Sequence, residues 1–294
     1  FAPSDLALPD DPDFDNDGID NIDDPFIRDA TNGGSARLFA GQSLLWDFDP
    51  NQDGNLPGPD GYGGGLTGVM LDGTTDYEQF FQEPSTLAGQ NNKLDNVKFI
   101  TAAGGGTTVI ENVSNGDPFS TNNSGEYLFH TGVTIDPTVE AFTIKWTVFN
   151  PAAELTGTFQ QIGGYIGTGD QSNFLKIVAI QHGNGEIQLA LEQNDVVSES
   201  FIQADDLFDV TTLPDNSKIF FELAIDPTAE TATPTVTYET NTGDKTVSGP
   251  AISLSSSAVL DAIKGNYTVQ GQTSGLAVGL FSTNNGEPPE NTFQ

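Results

Sequence analysis

Four runs of this 294-residue chain change character at every residue. Phe142, Ile144, Trp146 and Val148 alternate with Thr143, Lys145 and Thr147. Ile187, Leu189 and Leu191 alternate with Gln188, Ala190 and Glu192. Ile219, Phe221, Leu223 and Ile225 alternate with Phe220, Glu222 and Ala224, and Val236 and Tyr238 sit among Thr235, Thr237 and Glu239. Successive side chains of a strand point to opposite faces, so a period of two sends one set into a core and the other away from it. The stretches 158–168, 173–181 and 275–283 are more evenly apolar, which predicts central strands. His182-Gly183-Asn184-Gly185 joins two such runs, and Asn-Gly favours a hairpin. One helix is expected, Ser257 to Ile263, with a Ser cap and Leu260 and Ile263 on one face. The chain therefore reads as all-β, a two-sheet antiparallel β-sandwich over 37–294 preceded by a short acidic segment, 1–36.

Charge narrows the partners. Asp and Glu number 42 against 9 Lys and Arg, a net charge of -33. Such a chain repels nucleic acid and anionic membranes. It carries no run of about 18 apolar residues that would span a bilayer. It has no cysteine, so disulfides, thiolate metal sites and thiol nucleophiles are absent together. A sequence opening at Phe1 fits either a mature product after processing or a fragment. The expected location is secreted or cell-surface, with bound cations or external salt relieving the self-repulsion.

The acidity is concentrated. Residues 1–30 hold ten Asp and one Arg, too few large apolar groups to fold alone. Within them, Asp13, Asp15 and Asp17 stand at positions one, three and five of a loop. Gly18 follows at the sharp turn, Ile19 can offer its backbone carbonyl, Asn21 stands at position nine, and Asp24 closes the loop at position twelve. Hard oxygen ligands at alternating positions let a short chain wrap Ca²⁺. Asp49, Asn51, Asp53 and Asn55, ending at Asp60, repeat the spacing more weakly around Gly54, with Pro57 and Pro59 as departures. Asp72 and Asp76 could add to this second loop.

The first loop resembles a thrombospondin type 3 repeat over about a dozen residues: Asp13, Asp15, Asp17, Gly18, Asp20 and Asp24 match, and the usual cysteine is missing. The resemblance implies a structural calcium linker. A second resemblance rests on an ordered set: Leu66–Met70, Asp72–Tyr77, Gly164–Lys176, Leu189–Gln193 and Gly275–Leu280. Together they are similar to the concanavalin A-like (laminin-G-like) jelly-roll modules of large secreted bacterial proteins, over roughly 37–294. This implies a turn at Gly169–Asn173 and a further closing strand after a segment like 286–293, which the chain, ending at Gln294, would lack. It implies glycan binding only loosely, because fold alone does not decide function.

No close Glu-x-Asp-x-Glu arrangement occurs on a strand. Glu186 and Glu192 read as opposite ends of one run, so catalysis is not expected. His130 and His182 read as structural. No nucleophile elbow, P-loop or dinucleotide fingerprint is present. The expected function is a calcium-stabilised extracellular module for glycan binding or adhesion, without catalysis. Its partner would be an extracellular polysaccharide or surface glycan, and Trp46, Tyr62, Tyr77 and Tyr165 are the candidate ring platforms. Two alternatives remain: a stalk or self-assembling surface subunit that meets neighbouring copies, and a polysaccharide hydrolase or lyase.

Overall fold

The computed structural model describes residues 12–46, 65–74, 97–102, 105–110 and most of 113–284, other than 114–115, 126–127, 150–154, 156, 183–184, 205–206, 208–212 and 215–216. The second candidate loop, from Asp49 to Asp60, lies outside the described residues, as do Tyr62, Asp76 and Tyr77.

The elements run β1 (Arg37–Leu38), β2 (Gly68–Val69), β3 (Val97–Ala102), β4 (Gly105–Ile110), β5 (Pro118–Phe119), β6 (Asn122–Asn123), β7 (Phe129–Ile135), β8 (Phe142–Phe149), β9 (Gln161–Gly167) and β10 (Asn173–Ile180). They continue with β11 (Glu186–Gln193), β12 (Val196–Gln203), β13 (Lys218–Asp226), β14 (Thr231–Tyr238), β15 (Lys245–Ser248), β16 (Ile252–Ser253), α1 (Ala258–Ile263), β17 (Thr268–Val269), β18 (Gln272–Thr273) and β19 (Leu276–Thr283). The all-β class holds. The simple two-sheet antiparallel jelly roll does not. An eight-stranded sheet ordered β1-β7-β19-β9-β10-β11-β12, with β2 beside β7, accompanies a five-stranded sheet ordered β15-β14-β13-β8, with β16 beside β14. Three two-stranded ribbons, β17-β18, β3-β4 and β5-β6, stand apart from both. The pairing is mixed, for β1 runs parallel to β7 and Leu71 bridges Asp170 in parallel. The departure comes from two short strands early in the sandwich range, β1 parallel and β2 antiparallel, which both pair with β7 at the edge of the large sheet.

The two larger sheets pack across an apolar core. Phe221 and Leu223 of β13 and Trp146 and Val148 of β8 face Ile177 of β10 and Ile187 and Leu189 of β11. The alternating runs follow from this, because their other face is not in that core. The evenly apolar runs β9, β10 and β19 have a different origin: both of their faces are covered. A second core lies on the outer face of the large sheet, where Tyr165, Phe174, Val178 and Phe281 meet Phe26, Met70 and Leu128. The helix forms where its cap predicts: the Ser257 hydroxyl accepts the Leu260 amide at 3.1 Å, and Val259, Leu260, Ala262 and Ile263 are buried.

The acidic segment is fastened to the sandwich. Ile19, Phe26, Ile27 and Ala36 are buried. The Gln272 Nε2 donates to the Asp17 carbonyl, the Gly275 amide to the Asn32 carbonyl, and the Arg28 amide to the Thr67 carbonyl. His130, fully buried on β7, donates from Nε2 to the Pro25 carbonyl. A carbonyl only accepts, so this nitrogen carries the proton. The Tyr165 hydroxyl, 2.6 Å from Nδ1, supplies the other bond of the neutral ring. Burial holds the His130 pKa down at about 4.

Candidate functional site

The acidic loop gathers its carboxylates as spacing predicts. One oxygen from each of Asp13, Asp15 and Asp17 lies within 4.8 Å of the others. The turn is made by Asn16 at φ 61 and Gly18 at φ 95, both left-handed. Backbone amides occupy part of each group: Asp13 accepts those of Asp17 and Gly18, Asp15 that of Asp17, and Asp17 that of Ile19 at 2.7 Å. Asp15 Oδ2 and Asp17 Oδ2 stay buried without a partner. Burial first, and then the Asp17 charge, push the Asp15 carboxyl up to about 7. The buried Asp24 carboxyl is pushed up to about 8 by desolvation, with Asp15, Asp17 and Asp13 adding to it. Like charges crowded in this way hold protons or a cation. The cluster can chelate a divalent metal. Asp20 is exposed and outside the three-carboxylate group, and Ile19 puts its side chain into the core. Asp29, unmarked by the loop spacing, also acts electrostatically on Asp15 and Asp17. It is held by Thr31 and Ser35.

The predicted ring platforms fare differently. Tyr165 is fully buried, its one hydroxyl proton shared between His130 Nδ1 at 2.6 Å and the Leu128 carbonyl at 3.0 Å, so it has no face for a ligand. Trp46 is half-buried and lines a cleft of about 1300 Å³ at the β8 edge of the sandwich, with Leu44, Phe142 and Leu280.

A second cluster lies on the outer face of the large sheet. On β11, Glu186, Gln188, Ala190 and Glu192 share this face, because Ile187, Leu189 and Leu191 fill the core opposite. Register places Gln203 across from Glu186, Phe201 from Gln188, Glu199 from Ala190 and Val197 from Glu192. Gln188 Nε2 donates to Glu199 Oε2 at 2.6 Å, and Gln203 Nε2 donates to Glu186. On β10 beside them, the buried Lys176 amine donates to Gln161 Oε1 at 2.7 Å and lies 4.7 Å from the centre of the Phe281 ring. Gln161 passes its own N–H to Asp117 at 3.3 Å. Burial lowers the Lys176 pKa, against the pull of Asp117, Glu192 and Glu199. Glu192 is pushed up to about 7 by desolvation, against the Ser120 amide and the Lys176 charge, and its Oε1 is buried and unpartnered.

No protein-family model matches the chain, and no curated protein matches it. Solved structures do. The GH43 BlXynB protein from Bacillus licheniformis is 12% identical with a TM-score of 0.42, over 63% of this chain and 31% of that one. A GH43_12 protein retrieved from a capybara gut metagenome is 14% identical with a TM-score of 0.38, over 71% and 35%. Lectin I-B4 from Griffonia simplicifolia, in its metal-free form, is 11% identical with a TM-score of 0.36, over 71% and 93%. The chain thus spans about a third of the length of the GH43 structures. The expectation of a module without catalysis, for glycan binding or adhesion, is corrected here. What overturns it is the outer face itself, where the pairing of β11 with β12 brings Glu186, Glu192 and Glu199 to one side of the sheet, a grouping not expected from the sequence.

Proposed function

We propose that the chain acts on a polysaccharide at the outer face of its large sheet, outside the cell, with Ca²⁺ held by the acidic loop. The observation that carries this is the row of carboxylates and amides on β11 and β12. Paired acids and amides are the groups that bond sugar hydroxyls in both directions. The reaction this row fits is glycosidic hydrolysis. Glu192 and Glu199 are diagonal neighbours on adjacent strands, their backbone positions about 7–8 Å apart, which lets two carboxyl groups flank one glycosidic bond. Glu192, raised to about 7, can hold the proton that a leaving sugar oxygen needs, and Glu199 faces solvent. The Pro118–Asn123 ribbon reaches Glu192 through the Ser120 amide, so catalysis at this carboxyl requires the ribbon to move.

Release of reducing ends from a panel of polysaccharides, by the intact chain in calcium, tests the reading. Glu192→Gln and Glu199→Gln should each abolish release. Release that survives both substitutions places the chemistry elsewhere.

For the loop, Asp13, Asp15, Asp17 and Asp24 supply the carboxylate oxygens and Ile19 its carbonyl. The two unpartnered buried oxygens of Asp15 and Asp17 support a cation there. Ca²⁺ fits better than Mg²⁺, because flexible carboxylates at alternating positions match its larger, less strict shell.

A further inference from the structure

We propose that Phe159, His182 and Phe201 form a stacking subsite for a neutral sugar ring of the polysaccharide, an inference that rests on the carbohydrate reading above. The three rings stand in a row at the end of the carboxylate strip. Phe159 and His182 are stacked, with centroids 5.2 Å apart and planes at 21°. His182 and Phe201 follow at 5.6 Å and 39°. The row is open: 43% of Phe159 and 39% of Phe201 is exposed. An apolar ring left in water is ordinary singly, but two with an imidazole between them form a patch with a use.

Backbone conformation gives a second, independent sign. Phe159 has φ 66, the left-handed region that a bulky aromatic side chain avoids. It is held there by its amide on the Gln181 carbonyl at 2.7 Å, and the Gln181 amide returns to the Gln160 carbonyl at 3.0 Å. Glycine would take this conformation without strain. A phenylalanine kept at a strained, exposed position, with its ring on His182, points to work done by the ring.

The rim supplies polar partners. His182 Nδ1 lies 2.6 Å from Glu186 Oε2, which fixes the imidazole in the row. Gln181 Oε1 and Gln188 Oε1 are buried with no hydrogen-bond partner. Rings that cover the C–H face of a pyranose, beside amides and carboxylates for its hydroxyls, are the chemistry of sugar recognition. The charge selects the class. Strands β11 and β12 carry Glu186, Glu192 and Glu199 and no Lys or Arg, in a chain of net charge -33. Uronate or sulfated chains would meet like charge, so the ligand is a neutral glycan.

Affinity electrophoresis of the intact chain in calcium, through gels containing neutral glucans, xylans and mannans or a polyuronate, tests this. Neutral polysaccharide should retard the wild type more than the polyuronate. Phe201→Ala and Phe159→Gly should each weaken retardation about tenfold. Phe159→Gly should melt no lower than the wild type, because it relieves the strain, which separates loss of the ring from loss of the fold. Retardation equal in all three proteins overturns the subsite and leaves the carbohydrate reading standing. A wild type that no polysaccharide retards, and that cleaves none, overturns both. Preference for the polyuronate overturns the neutral class. A dimer in size-exclusion chromatography that Phe201→Ala dissolves assigns the rings to a second copy instead.

Discussion

His130 on β7 and Pro25 in the acidic segment share a hydrogen bond across 105 residues, wholly inside the protein. The bond ties the segment to the centre of the second core, where Phe26 meets the His130 ring edge-on at 5.1 Å. His130→Ala would leave the Pro25 carbonyl unpaired in the interior and take one partner from the Tyr165 hydroxyl. The expected cost is about 1–3 kcal/mol of unfolding free energy. Limited proteolysis should then cut within the first 36 residues sooner. Denaturant curves that match the wild type would show the bond to be dispensable.

The loop predicts a pH-dependent calcium effect. Asp15 and Asp24 titrate near 7 and 8 in the folded chain and near 3.8 when unfolded. Between these limits the folded state binds more protons, so without metal their contribution to stability declines as pH rises from about 4 to about 8. His130 acts in the opposite direction. Its folded value of about 4 lies below its unfolded 6.5, so the stability it contributes is complete above 6.5 and lost as pH falls towards 4. Calcium replaces the carboxyl protons, so its binding should release protons and tighten with pH. The gap in melting temperature between calcium and EDTA should therefore widen from pH 5 to pH 8, and Asp17→Ala should close it. A gap constant across that range would remove the loop as its source.

The main core gives a prediction of size. Phe221 is fully buried and lies across from Trp146 on one side and Val236 on the other. Phe221→Ala should cost about 3–5 kcal/mol. Because β13 packs on the large sheet, a single calorimetric transition should move as a whole. Two transitions, only one of them shifted, would mean that the sheets unfold separately.

These cases show what the sequence carried. Strands β8, β11 and β13 were legible because only one of their faces lies in the main core, so residues such as Phe221 alternate with Glu222. Strands β9, β10 and β19 were legible as strands, but not for the right reason: Tyr165, Phe174 and Phe281 are apolar because the acidic segment and its neighbours roof them. Strand β1 was invisible, since a two-residue pairing has no period. The loop of Asp13, Asp15 and Asp17 could be read because its ligands are local. The carboxylate face could not, although Glu186, Gln188 and Glu192 alternate plainly. Bringing Glu199 beside Glu192 takes the register of a hairpin whose turn puts Asn194 at φ 49 and Asp195 at φ 64. Phe159 belongs to the stretch 158–168 that reads as a central strand, but β9 begins only at Gln161, so its ring falls in the loop before the strand and is exposed, which nothing local signalled.

Lys176 permits a last test, of what stabilises the outer face. Its amine is buried among rings, donates to Gln161 and lies in the field of Asp117, Glu192 and Glu199. Desolvation raises the carboxyls of Asp117 and Glu192, and the Lys176 charge opposes that rise in both. Lys176→Met keeps the apolar stem and removes the charge. The lost hydrogen bond should cost about 1.5–3 kcal/mol. The penalty should also depend on pH. Without the amine, both folded-state pKa values move further up, so the folded state holds protons over a wider range and is disfavoured more as pH rises. The melting temperature of Lys176→Met should thus fall further below the wild type at pH 8 than at pH 5. A penalty that is equal at both would mean that the amine acts by packing and its one hydrogen bond, and that its charge does not reach the two carboxyls.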